Sequence, residues 1–152
     1  MAQISTSACV PYTAEQMFAL VNDVAAYPRY VPLCSAVKLR SVAPERLVAT
    51  MTFSKGKIKF DFTTENSMRG NHAIDMRLVD GPFKYLNGTW GFVANPHGGS
   101  DVSFTVDFEF SNALLTMAFG GFFKNIAESM VGAFCEQAAL RYGSPDRSGP
   151  KR

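Results

Sequence analysis

The chain has few cysteines, few charges and no long apolar run. Cys9, Cys34 and Cys135 are odd in number and widely separated. That excludes a disulfide framework, offers no metal-ligand spacing and fits a reducing compartment. Charged residues make up 18% of the chain and the net charge is +2, too little to argue for DNA from composition. The longest apolar run, Leu114 to Phe123, has ten residues, about half of the ~20 that a membrane-spanning helix needs. The opening M-A-Q-I-S-T-S-A has neither the charged nor the apolar segment of a secretory signal. There is no glycine-rich phosphate loop, no G-x-S-x-G and no H-E-x-x-H. These absences favour a cytoplasmic protein, with no catalytic residues, no metal and no required cofactor expected.

What the chain does have is apolar and aromatic. Of 152 residues, 47% are hydrophobic, with 13 Phe, 5 Tyr and 1 Trp, enough for one domain with a substantial core. The clearest element is V-S-F-T-V-D-F-E-F, residues 102–110. Val102, Phe104, Val106, Phe108 and Phe110 point one way, and Ser103, Thr105, Asp107 and Glu109 the other. Such alternation predicts an antiparallel strand with one buried and one wet face. Similar runs surround Val37–Val42, Leu47–Phe53, Ile58–Phe62, Ile74–Val79 and Leu86–Phe92, separated by turn residues such as Ser54-Lys55-Gly56 and Asp80-Gly81-Pro82. Residues 3–10 form a first strand. Thr13-Ala14-Glu15-Gln16 has the form of a capping box and starts a helix over Ala14 to Asp23. A short helical turn falls around Tyr27 to Pro32, where two prolines forbid a long helix. A long helix over Leu114 to Tyr142 ends the domain. The order is strand, helix, short helix, six strands, long helix: an α+β domain of two layers over residues 1–143. The polar tail 144–152, with two prolines, is expected to be disordered.

Few residues compete as a catalytic centre. His72 and His97 sit in turns without cysteine or carboxylate partners at ligand spacing. Asp107 and Glu109 stand roughly 7 Å apart on one strand face, but on the wet face, where charge is ordinary. Lys55, Lys57 and Lys59 read as a basic ribbon on one strand, suited to phosphates of RNA or anionic lipid, or simply a solvated edge. Trp90 either lines a cavity or fills the core. Leu114 to Phe123 is apolar around most of its circumference and is interrupted by Gly120-Gly121. Three readings stay open there: a hinged lid that touches the inner membrane transiently, a dimer contact, or an end buried under Tyr27, Tyr30 and Leu33.

V-P-Y-T-A-E-Q-M-F-A-L-V-N-D-V-A-A-Y-P-R-Y-V-P-L-C, V-D-G-P-F-K-Y-L-N-G-T-W-G-F and V-D-F-E-F-S-N, starting at Val10, Val79 and Val106, together resemble the bacterial branch of the coenzyme Q-binding START-domain family, within the polyketide cyclase/START superfamily. The resemblance implies a helix-grip fold, in which a curved seven-stranded antiparallel sheet grips the C-terminal helix around a hydrophobic tunnel. It implies cavity positions at Tyr30, Leu33 and Trp90, with Phe60, Phe92 and Phe104 from the strands and Phe119, Phe123, Ile126 and Met130 from the helix. Eukaryotic members of the family are associated with ubiquinone, respiration and quinone biosynthesis, so the first function implied is non-catalytic binding of ubiquinone or a related prenyl lipid. The bacterial branch includes a toxin described as blocking association of ribosomal subunits. The alternative is therefore binding to a ribosomal subunit, with the lysines as contact.

Overall fold

In the computed structural model, residues 2–143 are described; the tail 144–152 lies outside the described residues. β1 (Ala2–Val10) is followed by α1 (Ala14–Asn22). Thr13 caps α1 with the expected reciprocal pair: Gln16 N donates to Thr13 Oγ1 at 3.0 Å, and Thr13 N donates to Gln16 Oε1 at 2.9 Å. Met17, Leu20 and Val21 form the buried stripe of α1. Asp23, at ψ 68°, breaks the helix, so the short helix that follows is a 3-10 turn over Val24–Arg29, earlier than the sequence pattern placed it. Its Pro28 is tolerated because the fixed φ of proline suits a 3-10 turn.

The meander then runs β2 (Cys34–Ala43), β3 (Arg46–Lys55), β4 (Ile58–Arg69), β5 (Ala73–Asp80), β6 (Phe83–Ala94) and β7 (Ser100–Phe110), before α2 (Ala113–Tyr142). The seven strands form one antiparallel sheet in the order β1-β7-β6-β5-β4-β3-β2. Thus β1 closes on the last strand, and α1 with the 3-10 turn carries the chain from that edge to β2 at the other. The twist of a sheet this wide curls it, and the concave face receives α2. This is the helix-grip fold.

Strand β7 keeps the alternation read from its sequence: its apolar positions are buried and its polar positions face outward. The outer face carries ion pairs, Arg46 and Arg77 with Glu65 and Arg69 with Asp75. Exposed pairs of this kind contribute about 0–1 kcal/mol each, so the fold rests on the apolar concave face.

Asn112 caps α2, its Oδ1 accepting from Leu115 N at 2.9 Å. The helix runs unbroken through Gly120-Gly121, so the glycine pair is not a break in this state. The reading that buries the start of α2 under Tyr27, Tyr30 and Leu33 does not hold. Leu114 and Met117 are 74% and 83% exposed, while Tyr27 and Tyr30 pack on Phe134 near the other end, at ring separations of 5.3 and 5.7 Å.

The lysine ribbon also changes shape. Lys55 ends β3, Lys57 lies in the turn and Lys59 lies on β4. The register pairs Lys55 with Ile58 and Ser54 with Lys59. Lys55 therefore shares the side of Phe53, and Lys59 points to the opposite face. The three exposed lysines surround a hairpin tip instead of lining one strand, and among the described residues they form no ion pair.

Candidate functional site

Helix α2 lies nearest β1 and β7, on one side of the concave face. Across the rest of that face, side chains fill the gap between helix and sheet, and two zones result.

Under the first half of α2 the filling is phenylalanine. Phe60 stands 5.1 Å from Phe119 and 5.8 Å from Phe122, ring centre to ring centre. Phe123 stands 4.7 Å from Phe108 and 5.0 Å from Phe83. Edge-to-face geometry dominates here, and each such pair is worth about 0.5–1.5 kcal/mol beyond area burial. This aromatic plug closes the end of the groove.

Under the second half of α2 a void of about 40 Å³ remains. Its wall takes Trp90 and Phe104 from the sheet, Phe123, Ile126 and Met130 from α2, and Val21, Val24 and Tyr27 from the segment between β1 and β2. Trp90 stacks on Phe104 at 4.3 Å, so it both lines the void and fills the core. Three methionines, Met51, Met76 and Met130, also face the void; their unbranched side chains adapt to changes of shape more readily than branched ones.

The expected cavity residues therefore divide. Trp90, Phe104, Phe123, Ile126 and Met130 meet around the void. Phe60 and Phe119 belong to the plug. Phe92 is buried against Phe18 of α1, edge to face at 5.8 Å. Tyr30 lies in an outer groove with Arg29, Gln137 and Arg141. Leu33, with a left-handed φ of 67°, serves the entry to β2, its carbonyl accepting from Ser54 N at 2.9 Å. A tunnel of the width implied by the resemblance is not open here, because the phenylalanines and methionines occupy it.

Polar groups on the void are few. Burial pushes the Tyr27 hydroxyl well above the ordinary phenol range, so it remains an uncharged donor, and it donates to the Val21 carbonyl. Away from the void, burial pushes the Cys34 thiol up to about 11, which keeps it protonated and unreactive. The polar residues that the sequence pattern missed are Thr64 and Asn66, 0% and 6% exposed. Thr64 Oγ1 donates to Asn66 Oδ1 at 3.0 Å, and Asn66 reaches the wall of the void. The signal for them was present: they continue the inward series Phe60, Phe62 along β4, a strand of 12 residues.

Elsewhere the structure is plain. His72 and His97 are exposed in turns, and the His97 N–H closes an Asn95 turn at 2.9 Å. Cys9, Cys34 and Cys135 are free thiols. Among the described residues no cluster of His, Cys, Asp or Glu could hold a metal ion, and no helix is long and apolar enough to cross a membrane.

Comparison with known proteins places this geometry. The chain is 44% identical over 144 residues to the ribosome association toxin RatA of Escherichia coli K12, covering 95% of this chain and 91% of that one. It is 29% identical to a Xenopus laevis mitochondrial coenzyme Q-binding protein, COQ10 homolog B, over 93% of this chain and 59% of the longer relative. In structure it resembles a Streptomyces aromatase/cyclase, Zhui, with a TM-score of 0.83, 13% identity and 99% coverage of both chains; at that identity the likeness concerns the fold alone. Residues 10–135 match the family described as polyketide cyclase/dehydrase and lipid transport, and the chain belongs to that family.

Proposed function

We propose that this protein acts on the ribosome, binding a ribosomal subunit and opposing subunit association without catalysing a reaction. The observation that carries this reading is the 44% identity to RatA across nearly the full length of both chains. The exposed lysines at the β3–β4 hairpin, which form no ion pair among the described residues, supply a surface suited to ribosomal RNA phosphates. Ammonium groups that neutralise phosphates release the counterions condensed on the nucleic acid. Sedimentation of ribosomes with added protein should show free subunits accumulating at the expense of joined ribosomes. The combined variant Lys55→Glu, Lys57→Glu, Lys59→Glu should bind subunits at least about tenfold more weakly and lose a salt-dependence slope of about 2 in log–log form. An unchanged distribution at low salt, where such contacts are strongest, would overturn the reading.

A second reading, favoured by the Asn66-marked void, is that the groove takes an apolar ligand such as ubiquinone or a related prenyl lipid. A void of about 40 Å³ is far below the ~300–1,000 Å³ of ordinary ligand pockets. Entry therefore requires the methionines to swing and the first half of α2 to lift, which would bring the exposed Leu114 and Met117 toward a lipid surface. Solvent extraction of protein purified from native cells, followed by mass spectrometry, should release a prenylated molecule in near-equimolar amount. Repeatedly empty extracts, together with unchanged Trp90 fluorescence on adding quinone, would sink this reading.

A further inference from the structure

Asn66 poses a problem of hydrogen bonding. It is 6% exposed, and burying a carboxamide without partners for its polar atoms costs about 1–3 kcal/mol per unsatisfied group. Its Oδ1 accepts from Thr64 Oγ1 at 3.0 Å. That is its one side-chain hydrogen bond among the described residues; its carboxamide N–H groups have no hydrogen-bond partner there, and the residue forms part of the wall of the void.

Water is a poor answer. The void has room for it by volume, but a buried water needs two to four polar partners. The neighbouring wall is Val21, Val24, Met51, Ile74, Leu86 and Trp90. Tyr27, the hydroxyl-bearing residue of that wall, already donates to the Val21 carbonyl. A water molecule would find the Asn66 hydrogens and little else.

An acceptor oxygen carried on an apolar body satisfies both demands. It meets the amide while its carbon frame meets the aliphatic and aromatic wall. The ring surfaces on the wall favour a flat frame: Trp90 and Phe104 lie within 22° of parallel, and Phe53 and Phe62 within 13°. Met51 and Met130 can move aside for it.

We propose that Asn66 is the recognition point for the ligand, donating from Nδ2 to a ring carbonyl of an aromatic ketone or quinone, with Thr64 holding the carboxamide in position. This rests on the second reading above, that the groove takes an apolar ligand. Thr64 acts only by orienting Asn66, so it is a positioning residue.

The test uses the full chain and two probes of similar size: decylubiquinone, which carries ring carbonyls, and decylbenzene, which does not. Calorimetric titration of wild type should show both binding, the quinone more tightly. In Asn66→Leu, quinone affinity should fall about tenfold, while decylbenzene affinity stays level or rises. In wild type, the Asn66 side-chain amide protons should move downfield in 1H–15N spectra on adding quinone and stay in place on adding decylbenzene. This spectrum needs no variant, so it decides the matter even if Asn66→Leu does not fold. Equal quinone affinity in wild type and variant, or an unmoved Asn66 amide in the quinone complex, overturns the role of Asn66 and leaves the ligand reading intact. If wild type binds neither probe, the ligand reading falls and this inference falls with it.

Discussion

Phe134→Ala should lower the free energy of unfolding by about 3–5 kcal/mol, the range for removing a fully buried phenylalanine. Phe134 is 0% exposed and is the point at which three parts of the fold meet. Its ring stands 5.3 Å from Tyr27, 5.7 Å from Tyr30 and 5.3 Å from Trp90, near edge-to-face in each case. It ties α2 to the 3-10 turn and to the sheet at once. The cavity left by alanine would join the void already present, so the surroundings have little means to collapse into it. Urea denaturation followed by Trp90, the single tryptophan, checks this directly. A loss below about 1 kcal/mol, the size of an ordinary surface substitution or less, would show that α2 is held mainly elsewhere, by the phenylalanine plug.

Gly99→Ala should cost about 3 kcal/mol, the upper end of ordinary overpacking, by an unrelated mechanism. A Cβ at position 99 would lie 1.9 Å from the Val10 carbonyl oxygen and 3.0 Å from Pro11 Cα. Both are backbone, so no side chain can rotate away. Gly99 is held there by Asn95, whose Oδ1 accepts from the Gly99 N–H at 3.2 Å. The next residue, Ser100, pairs with Val10, and its Oγ donates to the Tyr12 carbonyl at 2.9 Å. The methyl group must therefore push the end of β1 from β7, opening the edge at which the first strand closes the sheet. Amide hydrogen exchange should accelerate in Cys9, Val10 and Ser100 more than in β3 and β4. A melting temperature equal to wild type would refute the close approach of these two segments.

The strands and helices were legible because they depend on short-range geometry. Alternation along 102–110 identifies a half-buried strand whatever its neighbours do, and T-A-E-Q is a capping box through bonds three residues apart. Which residues share a site was legible only halfway. Alternation placed Trp90, Phe92 and Phe104 on the same face, and they are all buried there. It could not say that Phe92 meets α1 while Trp90 and Phe104 meet the void, because that depends on where α1 and α2 cross the curved sheet. The resemblance likewise grouped Phe119 with Phe123, yet Phe119 stops in the plug and Phe123 reaches the void. Asn66 escaped notice because a polar residue looks outward-facing until the strand is known to continue past Phe62. The lysines share a spacing of two in sequence, but the turn that holds Gly56, with φ 61°, reverses the chain between Lys55 and Lys59, so the spacing does not put them on one face.

The sequence by itself determined the element types, their order, the apolar face of the sheet and the helix that must cover it, since each follows from backbone periodicity and local hydrogen bonding. Only the tertiary structure decided how much space is left beneath that helix and which polar group looks into it. The size of a void is the small remainder after side chains from distant segments have filled the space between sheet and helix, and no local pattern encodes a remainder. That remainder is about 40 Å³ here, with Asn66 on its wall.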